Sequence, residues 1–177
     1  MSAEPPYLRI FIKAGSRVAL LALLLFFPSQ SLRWPAGWLY LALYASWSAM
    51  NIRLLRLRSP ELLLLREAHQ PAASEAWDKV FVSVGAALLL GLLLLCALEG
   101  PAARFTAVSA AAFLAICAGY ALFTQALLSN PFAIGVAAIQ RDQTAVDKGP
   151  YRAVRHPLYL AAIVIFLCTP AALGAPG

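Results

Sequence analysis

The chain has 177 residues, 62% of them hydrophobic and only 12% charged, with mean hydropathy +0.75 and a formal charge of +6. That balance excludes an ordinary water-soluble domain. Without a basic groove interleaved with aromatics, the positive charge does not point to nucleic acid either. What remains is an all-α, polytopic helical membrane protein with residues 1–177 in a single domain. Backbone groups in lipid must bond internally, and no ten-residue alternating segments suggest membrane strands.

A bilayer-crossing helix needs about 20 mostly apolar residues. About five stretches approach this: 14–28, 35–52, 77–98, 105–128 and 158–174. Arg17 interrupts the start of the first, and Pro170 sits inside the last. Arg9, Lys13 and Arg17 ahead of VALLALLLFF look like the lead of a signal peptide. The polar lead is long, however, and PSQS is a poor cleavage site, so the segment is read as a retained span. Trp34, Trp38 and Tyr40 flank the second span and Trp77 opens the third, as interfacial anchors do.

Between those two spans, LLRLRSPELLLLRE (54–67) predicts a short helix on the membrane surface, with Pro60 favouring a start after Ser59. Residues 71–74 make a small-residue turn. The fourth span carries a band of small side chains: Ala107, Ser109, Ala110, Ala111, Ala112, Ala115, Ala118 and Gly119. Such a band serves close helix packing or, alternatively, a groove for a lipid tail. Cys96, Cys117 and Cys168 fall inside spans at spacings that fit neither a metal site nor a disulfide framework. His69 and His156 are too few and too far apart for a metal centre, so none is expected.

With five crossings, the basic residues lie on one face except for Arg33 and Arg104 of the 14. The positive-inside rule then makes the N-terminus and the connection before the last span cytoplasmic. That connection, 129–156, is long, and loops of such length in compact proteins are usually functional or disordered. Recurring apolar and aromatic residues (Phe132, Ile134, Val136, Ile139, Val146, Tyr151) argue against disorder. It ends in GPYRAVRHPLY, 149–159, a dense polar cluster running directly into an apolar helix.

Pro157 suits the first position of that helix, where its missing N–H is no loss. The following amides, from Leu158 on, and the positive end of the helix dipole then favour a carboxylate or phosphate, with Arg155 and His156 beside them. Tyr151 and Tyr159 offer aromatic faces for a base ring or a sulfonium. Read on physics alone, the cluster is equally a set of positive-inside anchors followed by a helix start.

The run GPYRAVRHPLY closely resembles the cofactor-binding motif of the isoprenylcysteine carboxyl methyltransferase family, membrane enzymes that use S-adenosylmethionine. WPAGWLYLALY (34–44), SPELL (59–63), AWDKV (76–80) and SNPF (129–132), followed by Ile139 and Gln140, are similar to its bacterial members. The resemblance implies a cytoplasmic cofactor-binding loop with contacts at Gln140, Gln143, Thr144, Ala145 and Val146. These continue at Tyr151, His156, Pro157, Leu158 and Tyr159, with Arg155 favouring anionic groups. No catalytic residue follows from it, because an ionised carboxylate accepts a methyl group without a strong base.

The implied reaction is methyl transfer to a lipid-attached carboxylate, such as a prenylcysteine C-terminus, entering from the bilayer. The implied location is a bacterial inner membrane. Family members continue with a further membrane helix, an Arg and acidic residues, so the expectation is a C-terminally incomplete member. Two alternatives stand beside it: a phospholipid or lipid-amine N-methyltransferase, since RHPxY-like helix starts occur there too, and a non-catalytic truncated membrane protein of the same fold.

Overall fold

A computed structural model describes residues 6–68, 76–102, 104–134 and 143–175. These form α1 (Pro6–Ser29), α2 (Pro35–Arg58), α3 (Pro60–Ala68), α4 (Ala76–Glu99), α5 (Ala107–Ser129) and α6 (Pro157–Leu173). Short 3-10 turns occupy Gly100–Ala102 and Gly149–Arg152, and no strand occurs among the described residues. The turn expected at 71–74, His69 and Gln140 lie outside the described residues.

Local chemistry sets the helix ends. Proline stands first in α2 and α6, where a missing donor costs nothing. Thr106 and Ser109 cap the start of α5 reciprocally: each side-chain oxygen accepts from the other's backbone N–H. At the far end of α1, Gln30 takes φ 49, a left-handed conformation that closes the helix. Gly174, at φ 83, does the same for α6.

Three helical segments are long and apolar enough to cross a membrane: Tyr7–Ser29, Val82–Ala102 and Ala107–Ser129. The other two expected spans fall outside that description for different reasons. The stretch 35–52 of α2 carries no charge, but Pro35, Gly37, Ser46, Ser48, Asn51 and four Trp or Tyr side chains keep its hydropathy low. At 17 residues, α6 is apolar but shorter than the roughly 20 that span a hydrocarbon core. Large side chains such as Phe27, Val82, Leu88, Leu114 and Leu167 are exposed along α1, α4, α5 and α6, a surface suited to acyl chains.

Two clusters hold the helices together. The first gathers Leu25, Trp34, Tyr40, Leu93, Phe113 and Leu173. The second, at the α3 end, gathers Ile10, Leu55, Leu62, Leu127 and Ile134, with Leu158 packed against it. Arg66 donates to the Ala133 carbonyl there, tying α3 to the segment after α5. In the same region the Arg56 guanidinium sits 4.5 Å over the Tyr7 ring.

Trp34 departs from the sequence reading. It is 2% exposed and therefore a core residue, not an interfacial anchor. A Cβ on Gly37 would meet its ring at 2.6 Å, and one on Gly100 would also run into the ring, so only glycine fits on either side. Its indole N–H donates to the Leu173 carbonyl at 3.3 Å, occupying one of the orphan acceptors at the end of α6. Tyr40 is buried too. Thr169 donates to the Ile165 carbonyl at 2.8 Å, so the Tyr40 hydroxyl donates to Thr169, at 3.0 Å. Trp38, by contrast, is 47% exposed.

Close packing of α5 on α6 accounts for part of the small-residue band. Ser109, Ala112 and Gly119 are buried, and a Cβ on Gly119 would come within 2.9 Å of Ile165 and 3.4 Å of the Ala161 carbonyl. Ala107, Ala111 and Ala118 face outward instead.

Trp34→Ala is expected to lose about 3–5 kcal/mol of stability. Tyr40→Phe is expected to lose only about 0.6–1.7 kcal/mol, the range for an interhelical hydrogen bond in lipid. Unfolding titrations in mixed micelles measure both.

Candidate functional site

The sequence-predicted residues fall on one short path over the end of α5 and into α6. Residues 143–147 have no regular structure: Gln143, Thr144 and Ala145 are exposed and Val146 is half-buried. The chain then tightens. Gly149 takes φ 56, and a Cβ there would run into the Ser129 hydroxyl, so the turn can lie this close to α5 only with glycine. The Tyr151 N–H donates to the Lys148 carbonyl at 3.1 Å, and the Ala153 and Val154 amides close on Pro150.

Tyr151 is half-buried, and its hydroxyl accepts from the Asn130 side-chain amide at 3.1 Å. Asn130 in turn accepts from the Phe132 N–H at 2.9 Å, so one side chain fixes both the turn after α5 and the tyrosine. In the sequence Asn130 stood out only as part of the SNPF segment. Its second role depends on a contact 21 positions away in sequence.

The start of α6 presents rings instead of a row of donors. His156 and Tyr159 stack, with centroids 5.6 Å apart and planes at 27°. Both are exposed, Tyr159 to 61%, so the pair offers an open aromatic face. The Tyr159 and Leu160 amides both donate to the His156 carbonyl at 3.1 Å. That narrows the expected array of free N–H groups to Leu158, Pro157 having none. Arg152 and Arg155 are exposed beside the pair. Pro157 is fully buried and Leu158 packs on the second core cluster, so these two side chains serve the fold.

A cavity of about 710 Å³ lies one turn further along α6. Its lining begins on α6 at Ala162, and none of residues 143–159 reaches it. Tyr44 and Trp47 of α2 and Tyr120 of α5 contribute aromatic wall, and Arg17 of α1 contributes a cation. No group of three or more His, Cys, Asp or Glu suited to a metal occurs among the described residues.

Compared with protein-family models, curated proteins and solved structures, the chain matches none of them.

Gly149→Ala is expected to destabilise the protein by at least about 1 kcal/mol through the left-handed φ alone. The contact with Ser129 adds to this. Hydrogen exchange should rise at residues 149–153 as Tyr151 leaves Asn130, and a melting curve with an exchange map measures both effects.

Proposed function

We propose that this chain is a membrane methyltransferase of the isoprenylcysteine carboxyl methyltransferase type, binding S-adenosylmethionine along residues 140–159. The observation that carries the reading is the exposed His156–Tyr159 stack at the start of α6, immediately after an anchored tyrosine. It adds to the resemblance borne by GPYRAVRHPLY.

The residues present suit such a cofactor at both of its ends. An open histidine–tyrosine face suits a flat base or a sulfonium cation. The Leu158 amide, the positive end of α6 and Arg155 suit an amino-acid carboxylate. Gln143 to Val146 lie on the same path with exposed polar groups. When bound, S-adenosylmethionine supplies an electrophilic methyl group on sulfur.

The work left to the chain is positioning. The Asn130–Tyr151 bond and the left-handed Gly149 hold the turn against α5, and Pro157 fixes where α6 begins. An acceptor carboxylate carries its own charge, so no residue of the site is required to remove a proton. Effective molarity from alignment, and exclusion of water at the bilayer edge, then provide the rate. The acceptor in this reading is a lipid-attached carboxylate reaching the α6 start from the membrane.

The topology belongs to the same proposal. The three long apolar segments are joined by α2 and α6 in five crossings of a bacterial inner membrane. The basic residues of α1, α2, α3 and the 143–156 stretch then lie on the cytoplasmic face.

Calorimetric titration of the purified chain in nanodiscs tests the cofactor claim. S-adenosylmethionine should bind, with affinity at least tenfold weaker in His156→Ala and Tyr159→Ala and unchanged in Arg53→Ala. No heat of binding at millimolar cofactor, or equal affinity across all four proteins, would overturn it.

A further inference from the structure

We propose that the cavity between the helices seats one acyl chain of an anionic phospholipid, with the lipid phosphate paired to Arg17. The cavity lies between α4 on one side and α5 and α6 on the other. The aromatic face of α2 contributes to its wall. Its lining residues are apolar apart from its tyrosines, its tryptophan and Arg17, the one charged residue among them. At about 710 Å³ it falls within the range that holds a ligand, roughly 300–1,000 Å³.

Two contacts fix the aromatic part of the wall. Trp47 stacks on Tyr120, with centroids 4.3 Å apart and planes at 13°. The Trp47 indole N–H donates to Thr124 at 3.0 Å, which holds the ring against α5. The space is open on one side, and an apolar groove of this size offers dispersion contacts to a chain that enters it. Leu88, Ile163 and Leu167 line the cavity and are themselves exposed on the outer surface, so the opening faces acyl chains and not only water.

Arg17 determines the headgroup. It stands immediately before the uninterrupted apolar run 18–28 of α1, and its side chain has no ion pair or hydrogen-bond partner among the described residues. An arginine at the end of an apolar span sits at headgroup depth, where anionic lipids attract it. A phosphate diester accepts two parallel guanidinium hydrogen bonds. An anionic lipid brings that phosphate without the compensating ammonium of a zwitterionic one. The occupant must therefore join a long apolar chain to an anion, and the surrounding bilayer supplies such molecules. A lipid resident here needs no methyl donor, so this site stands apart from the cofactor reading.

Native mass spectrometry of the full chain, released from micelles with equimolar phosphatidylglycerol and phosphatidylcholine of matched chains, tests the proposal. The unmodified protein should retain one phosphatidylglycerol in at least fivefold preference. Arg17→Gln, at an exposed position that leaves the core untouched, should retain lipid with no preference. Arg53→Gln should keep the preference, which separates Arg17 from general surface charge. Ala162→Trp, which fills the cavity, should retain neither lipid. Equal retention by the unmodified protein, an undiminished preference in Arg17→Gln, or unchanged retention in Ala162→Trp would each overturn it.

Discussion

The indole of Trp34, held between two glycines and bonded to the end of α6, is the contact on which the arrangement depends. Gly37 at the start of α2 and Gly100 just past α4 leave space for the ring, and the Leu173 carbonyl takes its only polar hydrogen. Three separate parts of the chain are thereby fixed at one level. In lipid, where apolar association is not driven by water, such close fits and internal hydrogen bonds carry the specificity of helix packing. Tyr40 and Thr169 repeat the principle one turn further in, again joining α2 to α6.

Because α6 is held by α2 at one end and by α5 along its length, the position of its first turn is set by the bundle. That turn bears the His156–Tyr159 stack, and the bond from Asn130 to Tyr151 ties the preceding turn to the end of α5. The same packing leaves space between α4 and α6. The Trp47–Tyr120 stack and the Thr124 bond line that space with aromatic rings, and Arg17 gives it a single charge. The exposed ring pair and the apolar cavity thus lie about one helical turn apart along α6.

Much of this was legible in the sequence, within limits set by what each pattern reports. Hydropathy marked the apolar stretch of the first helix from residue 14, and the helix that carries it begins earlier, at Pro6. Arg9, Lys13 and Arg17 are good helix formers, so the helix continues where the apolar run does not. The second helix likewise runs to Arg58, past the expected end at residue 52, for the same reason. Pro60 and Pro157 announced their helix starts because proline constrains its own backbone. Trp34 could not be placed, since what buries it is two glycines distant in sequence from one another and a carbonyl 139 residues away. The meaning of Arg17 was hidden in the same way. Its role as a charge ahead of a span is local, while the cavity it faces is assembled from five helices. Of the candidate cofactor residues, His156 and Tyr159 stack on each other, Tyr151 bonds to Asn130, and Pro157 turns out to be a core residue.

The account's central claim is that the corner at the start of α6 delivers a methyl group to a lipid-borne carboxylate. Incubating the nanodisc-embedded protein with methyl-labelled S-adenosylmethionine and a farnesylated cysteine bearing a free carboxylate measures this directly. The account predicts label in the lipid phase that mild base releases as methanol, as an ester must, and its loss in Tyr159→Ala. Label that resists base, or none above the level of empty nanodiscs, would contradict it.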